Sequence, residues 1–138
     1  MLTVPVDVRF RDIDAVGHVN NAVYLTYLEQ ARLAYWRKLT GKSELRDIDI
    51  ILARVEIDYR SPIAFGEDVD VAVRCVLLKR SSCVLELRVT ERGSGRLVAE
   101  ARNVLVYFDY EAQRPQPIPD DLRARVRAMD PDVVEATS

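Results

Sequence analysis

One histidine and two cysteines are all the imidazole and thiol chemistry that this 138-residue chain carries. Cys75 and Cys83 are not at a metal-ligand spacing and His18 adds little to them, so neither a metal nor a cofactor is expected. The cysteines read as buried thiols on facing strands of a hairpin, with a bridge between them as the alternative. No G-x-S-x-G elbow is present, and no obvious nucleophilic serine lies near His18, which argues against a Ser-His-Asp triad. Apolar runs all fall short of the ~18 residues that a membrane span needs. The opening "MLTVPVDVRFRD" sets Asp7 where a signal peptide would need an apolar core, so no signal is expected. Basic charge is not in surplus either: 20 Lys and Arg against 22 Asp and Glu leave a formal net charge of −2. A nucleic-acid footprint needs a clustered basic excess, and here the basic residues are spread along the chain as solvated faces.

What remains is an ordinary globular composition, 49% apolar and 30% charged, sized for a single domain over residues 1–138. Val4, Val6, Val8 and Phe10 alternate with polar or turn residues, predicting a strand over 4–11. From Asn21 to Thr40 the period becomes helical. Val23, Tyr24, Tyr27, Leu28, Ala31, Ala34, Tyr35, Trp36 and Leu39 cover more than half the circumference, so this helix is embraced rather than laid on a flat surface. Asn20 or Asn21 supplies the N-cap, Gly41 the stop, and Arg37 with Lys38 suit the negative end of the dipole. Strands follow at 50–61, 67–78, 82–91 and 97–110, the last two joined by the Gly-rich turn "RGSGR". A Pro-rich connector leads to a short helix over about 119–129, and the tail 130–138 is expected to be loose. Strand, long helix, hairpin-linked strands and terminal helix predict an α+β fold. A long central helix packs on a curved five-stranded antiparallel sheet, with the core in about 4–110. The sheet's edge and outer face are natural places for self-association.

Between the first strand and the helix lies "DIDAVGHVNN", residues 12–21. Two aspartates, a glycine, the histidine and two asparagines in ten residues are either a turn with a helix cap or a reaction centre. As a turn, Asp12 and Asp14 would be ordinary Asx-turn formers.

The segment "DIDAVGHVNNAVYLTYLEQAR", with "YRSPIAFGEDVDV" and "LLKRSSCVLELRV" downstream, resembles the hotdog-fold acyl-CoA thioesterases of the 4-hydroxybenzoyl-CoA thioesterase type. The resemblance covers about residues 4–110, and D-x-D-x-x-G-H-V-N-N-x-x-Y is its specific part. It implies that Asp14 is the catalytic carboxylate, as nucleophile or general base, and that the Asn21 backbone N–H polarises the thioester carbonyl. The same arrangement is similar to plant acyl-carrier-protein thioesterases. His18 matches a histidine of those enzymes, and Val16 stands where they have an active-site asparagine. In the hydroxybenzoyl-CoA enzymes the His18 position is apolar. Asp12 is expected to be structural.

The chemistry fits those residue types. A thioester needs an attacking group, which a carboxylate supplies. It also needs stabilisation of the charge that develops on the carbonyl oxygen. A helix N-terminus, with unpaired N–H groups and about half a positive charge, provides that. Asp14 lies seven residues before Asn21 across a turn through Gly17, a spacing able to bring the two together. Tyr24, one turn into the helix, is a candidate for lining an acyl pocket, though it and the neighbouring aromatics also suit the core. Lys79, Arg80 and Ser81 form a hairpin turn that reads either as plain exposed turn or as a contact for coenzyme A phosphates. The expected activity is hydrolysis of acyl-CoA to free acid and coenzyme A in the cytoplasm, by a homodimer or homotetramer. The alternatives are an acyl-carrier-protein thioesterase and a non-catalytic acyl-CoA-binding protein on the same fold.

Overall fold

A computed structural model describes residues 1–44, 47 and 49–136. Its elements are β1 (Leu2–Val6), α1 (Val23–Thr40), β2 (Ile50–Tyr59), β3 (Val69–Leu78), β4 (Ser82–Glu91), β5 (Leu97–Asp109), β6 (Arg114–Pro115), α2 (Asp120–Met129) and β7 (Val134–Glu135). The five long strands pair antiparallel in the order β1-β3-β4-β5-β2. Two-residue strands add to this frame: β6 pairs with β5, and β7 runs parallel to β3. The predicted five-stranded sheet is therefore a seven-stranded one, extended at its rim by segments too short to show a period of two.

Alternation decides which face holds the core. Val69, Val71, Val73 and Cys75 of β3, Leu85, Leu87 and Val89 of β4, and Ala99, Ala101 and Leu105 of β5 are buried. Packed against them are Tyr24, Tyr27, Leu28, Ala31, Tyr35, Trp36 and Leu39 of α1, the wide apolar arc seen in the sequence. The intervening strand residues form a charged outer face on which Arg74 meets Glu86 at 2.7 Å. Such exposed pairs add at most about 1 kcal/mol each. Cys75 and Cys83 are both buried and free, which settles the choice left by their spacing in favour of thiols.

Two expectations are corrected. The strand predicted over 4–11 ends at Val6, and Phe10–Asp12 winds into a 3-10 turn. The turn forms because Asp12 accepts the Arg9 N–H at 2.9 Å, and it leaves Phe10 79% exposed. The tail from Asp130 is tied down rather than loose. Asp130 Oδ2 accepts the Tyr35 hydroxyl at 2.6 Å and the Cys75 N–H at 2.9 Å. Burial, then the Asp130 carboxylate, push the Tyr35 hydroxyl pKa well up. Val134–Glu135 pairs with Leu77–Leu78, and the Ala136 N–H reaches the Leu78 carbonyl at 2.8 Å. Thr137 and Ser138 lie outside the described residues.

The register gathers different turns at the two ends of the sheet. Val6 faces Val69 and Tyr59 faces Ala99, so the exit of β1, the exit of β2 and the β4–β5 turn gather at one end. The Lys79–Ser81 turn gathers with α2 at the other. β3 has 10 residues, so at ~3.3 Å per residue the ends are roughly 30 Å apart.

Candidate active site

The segment between β1 and α1 folds into a small closed loop. Ile13 bridges Val19 antiparallel, the Asp14 N–H donates to the His18 carbonyl at 2.8 Å, and the Asn20 N–H donates to the Asp12 carbonyl at 2.9 Å. The tip turns through Gly17 at φ 86°, a left-handed conformation that a side chain would strain. The loop docks on the segment after β2, where the Val19 N–H donates to the Ile63 carbonyl at 2.8 Å and His18 bridges Ala64. Glu67 and Arg96 brace that segment. Glu67 accepts the Ala64 N–H at 2.8 Å, and its ion pair with Arg96 at 3.1 Å leads the causes holding its pKa below the usual carboxylate range.

The two aspartates of the loop differ in how they are held. Asp12 is 2% exposed and fully engaged. Its Oδ2 accepts the Tyr27 hydroxyl at 2.7 Å and the Arg9 N–H at 2.9 Å, and its Oδ1 faces Arg9 Nη2 at 3.0 Å. Burial by itself would raise its pKa. The bonds from the Arg9 N–H, the Tyr27 hydroxyl and the guanidinium outweigh that and hold it below the ordinary aspartate value. In return, burial and the Asp12 carboxylate push the Tyr27 hydroxyl pKa up.

Asp14 is half-buried and held by one oxygen only. Its Oδ1 accepts the Val16 N–H at 2.9 Å and the His18 N–H at 3.4 Å. Oδ2 takes no hydrogen bond among the described residues. One carboxylate thus anchors the loop to the helix, while the other presents a free oxygen.

α1 begins two residues later than Asn21, and its capping differs from expectation. Ala22 occupies the N-cap position without a side-chain bond. Asn20 acts just ahead of it, its Oδ1 accepting the Ala22 N–H at 2.9 Å and its carbonyl the Val23 N–H at 2.9 Å. The Asn turn thus satisfies its own backbone before the helix starts. The Asn21 N–H makes no hydrogen bond among the described residues, and its carbonyl accepts the Tyr59 hydroxyl at 3.0 Å. Tyr59 also packs edge-on against Tyr24, with ring centroids 5.0 Å apart. Tyr24 itself is 2% exposed and belongs to the core.

The remaining candidates separate. His18 is exposed at the loop, its backbone bound to Asp14 and its ring making no hydrogen bond among the described residues. Lys79, Arg80 and Ser81 lie at the far end of the sheet, and their backbone carbonyls are already used. Ser81 O accepts the Tyr107 N–H, Arg80 O the Ile118 N–H, and Lys79 O the Arg123 guanidinium. Asp14 and His18 therefore pair across the loop, Asn21 follows where the loop leads into α1, and the hairpin turn does not join them. Sequence reasoning missed Arg9, Tyr27, Tyr59 and the Ile63–Ala64 segment, which fix the loop from elements distant in the chain. No group of three His, Cys, Asp or Glu side chains able to hold a metal ion occurs among the described residues.

A long helix wrapped by an antiparallel sheet is the fold of the hotdog thioesterases. Residues 8–126 match the model of the Thioesterase-like superfamily, and the chain belongs to that family. A thioesterase from Thermus thermophilus, crystallised with coenzyme A and Zn, matches with a TM-score of 0.86 at 42% identity over 96% of either chain. The long-chain acyl-CoA thioesterase FadM of Escherichia coli (strain K12) is 27% identical over 129 residues, 90% of this chain and 96% of its own. A 1,4-dihydroxy-2-naphthoyl-CoA thioesterase from Synechocystis, 19% identical with a TM-score of 0.79 over 90% of this chain and 93% of its own, shares the fold.

Proposed function

We propose that the chain hydrolyses acyl-CoA thioesters, with Asp14 as the catalytic carboxylate and the Asn21 N–H as the carbonyl-polarising group. The observation that carries this reading is the asymmetry of Asp14: Oδ1 is spent on the loop and Oδ2 takes no hydrogen bond among the described residues. The Asn21 backbone N–H, without a hydrogen bond among the described residues, stands where the same loop enters α1. The E. coli and T. thermophilus relatives favour coenzyme A as the acyl carrier.

In the general-base form, Asp14 Oδ2 takes a proton from water as the water oxygen bonds to the thioester carbon. The oxyanion that forms is met by the Asn21 N–H and the positive end of α1. Collapse of the intermediate breaks the C–S bond, and the departing thiolate recovers the proton from Asp14. The products are the free acid and coenzyme A. In the nucleophilic form, Oδ2 bonds to the carbonyl carbon as the C–S bond breaks and the coenzyme A thiolate leaves. Water then cleaves the mixed anhydride, restoring the Asp14 carboxylate and giving up the proton that the thiolate takes. The His18 ring, without a hydrogen bond among the described residues, is available for a substrate contact, and Tyr24 packs behind Tyr59.

Because Lys79, Arg80 and Ser81 lie at the far end of the sheet, any hold they have on coenzyme A phosphates is exerted from a neighbouring subunit. This agrees with a homodimer or homotetramer whose site is completed by a second copy. No helix among the described residues is long and apolar enough to cross a membrane. Cytoplasmic residence is part of the proposal. Thiol release from a panel of acyl-CoAs, by the wild type and by Asp14→Asn, tests the reading. A panel with no release, or release undiminished in Asp14→Asn, overturns it.

A further inference from the structure

The two peptide groups that lead into α1 are oriented by different partners. In the first, the Asn20 carbonyl accepts the Val23 N–H at 2.9 Å and so points down the helix. A planar trans peptide sets its N–H opposite its carbonyl, so the Asn21 N–H points out past the helix N-terminus. The second peptide joins Asn21 to Ala22. Its N–H donates to Asn20 Oδ1 at 2.9 Å, and its carbonyl accepts the Tyr59 hydroxyl at 3.0 Å. The Asn20 and Ala22 carbonyls take backbone bonds from Val23 and Leu25, but no backbone N–H reaches the Asn21 carbonyl among the described residues. Tyr59 supplies the donor that the helix withholds.

Tyr59 is held firmly enough to do so. It ends β2 opposite Ala99 of β5, and the Arg60 and Ser61 N–H groups that follow both donate to the Val98 carbonyl, at 2.8 and 3.1 Å. Its ring packs edge-on against Tyr24 with centroids 5.0 Å apart, and Tyr24 is buried in the core. Tyr24 lies three residues after Asn21, so the ring rests on the same helical turn whose carbonyl the hydroxyl binds. A tyrosine hydroxyl has one proton to donate, and here the Asn21 carbonyl takes it. Tyr59 therefore acts through Asn21.

We propose that Tyr59 is a positioning residue: its hydroxyl fixes the Asn21–Ala22 peptide and thereby aims the Asn21 N–H at the thioester carbonyl. This rests on the reading of the Asn21 N–H as the carbonyl-polarising group. Val23, whose N–H orients the first peptide, is joined to it through the second. Releasing the Asn21 carbonyl frees the two soft dihedrals at Asn21, and the donor loses its direction. Hydrogen bonds weaken steeply as they bend, and an oxyanion gains most from donors that are already in place.

The test is Tyr59→Phe, which keeps the ring against Tyr24 and removes only the hydroxyl. With the acyl-CoA that the wild type cleaves fastest, kcat is expected to fall about tenfold, short of the ~10²–10³-fold cost of deleting an oxyanion donor outright. KM should stay within about twofold, because the lost interaction belongs to the transition state. An unchanged kcat, or a raised KM at unchanged kcat, overturns the proposal. The second readout is the Asn21 amide proton in NMR spectra of the intact protein. A saturating ketone analogue of hexanoyl-CoA, with CH2 in place of sulfur, should shift that proton downfield in the wild type. In Tyr59→Phe the shift should be less than about half as large. Hexyl-CoA, a thioether without the carbonyl, should shift it in neither protein, and a shift as large as the ketone's overturns the proposal. A hydroxyl that only supports the fold would lower thermal stability and leave the ketone-induced shift intact, which also overturns it. If the wild type releases no thiol from any acyl-CoA, it is the hydrolase reading that fails. The positioning role is then decided by the ketone alone: equal shifts in the two proteins overturn it, and a smaller one in Tyr59→Phe upholds it.

Discussion

Replacing Asp14 by Asn isolates the free carboxylate oxygen from everything else that the residue does. The asparagine oxygen can still accept the Val16 and His18 N–H groups that hold the loop, at 2.9 and 3.4 Å in the native chain. With its oxygen fixed there, the amide NH2 takes the place of Oδ2. An NH2 neither attacks a thioester nor accepts a proton from water. The loop should survive, with a change in stability of at most ~0.5 kcal/mol. The reaction should not: kcat is expected to fall ~10²–10⁴-fold, the usual loss for a general base. That corresponds to about 3–5 kcal/mol of transition-state stabilisation. Asp12→Asn is the complementary control. It sets an NH2 against groups that already donate, the Tyr27 hydroxyl and Arg9, and removes a buried charge from its partners. Its loss should be mainly in stability, about 2–4 kcal/mol, or a Tm drop of roughly 6–15 °C, with less than ~10-fold in rate. Thiol release under saturating acyl-CoA and thermal denaturation at fixed protein concentration read the two effects separately. An Asp14→Asn enzyme within threefold of wild-type kcat, with the loop intact, refutes the reasoning. Equal rate losses at both positions would mean that the carboxylates share the work.

Acid should act on the fold through Asp12. Its pKa is held below the ordinary aspartate value near 4, so its stabilisation is full above that pH and fades as pH falls through the folded value. The stability gap between wild type and Asp12→Asn is thus expected to narrow below about pH 4, and chemical denaturation showing it widen there would contradict the Arg9 and Tyr27 bonding. Replacing Lys79 and Arg80 together by Ala should raise KM, leave kcat nearly unchanged and flatten the salt dependence of KM. An unchanged KM returns them to an ordinary turn. Light scattering at micromolar concentration should show a dimer or larger, and a stable, fully active monomer would sink the shared-site proposal.

Local patterns carried much of this molecule in its sequence. The period of α1, the alternation along β3 to β5 and the D-x-D-x-x-G-H-V-N-N run each depend on residues only a few positions apart. Gly17 likewise announced a turn that only a left-handed residue makes easily. Which aspartate is buried was another matter. Asp12 and Asp14 have the same chemistry at the same spacing, and the difference came from Tyr27, a helix residue fifteen positions on. The end of β1 depended in the same way on the Arg9–Asp12 contact, and the ordering of the tail on Asp130 meeting Tyr35, 95 residues away. The buried pair Arg32 and Asn103 left a signal in plain view: a cation inside the apolar stripe of α1, and an amide at an inward position between Ala101 and Leu105. Alternation says that such residues point inward, and only the packing of α1 over β5 sets them 2.9 Å apart with one donor left over. The sequence determined the elements, the polarity of their faces and the loop that bears Asp14, because those follow from nearest-neighbour chemistry. The tertiary structure decided which polar atoms found partners, because a hydrogen bond between distant residues exists only once the sheet has wrapped the helix.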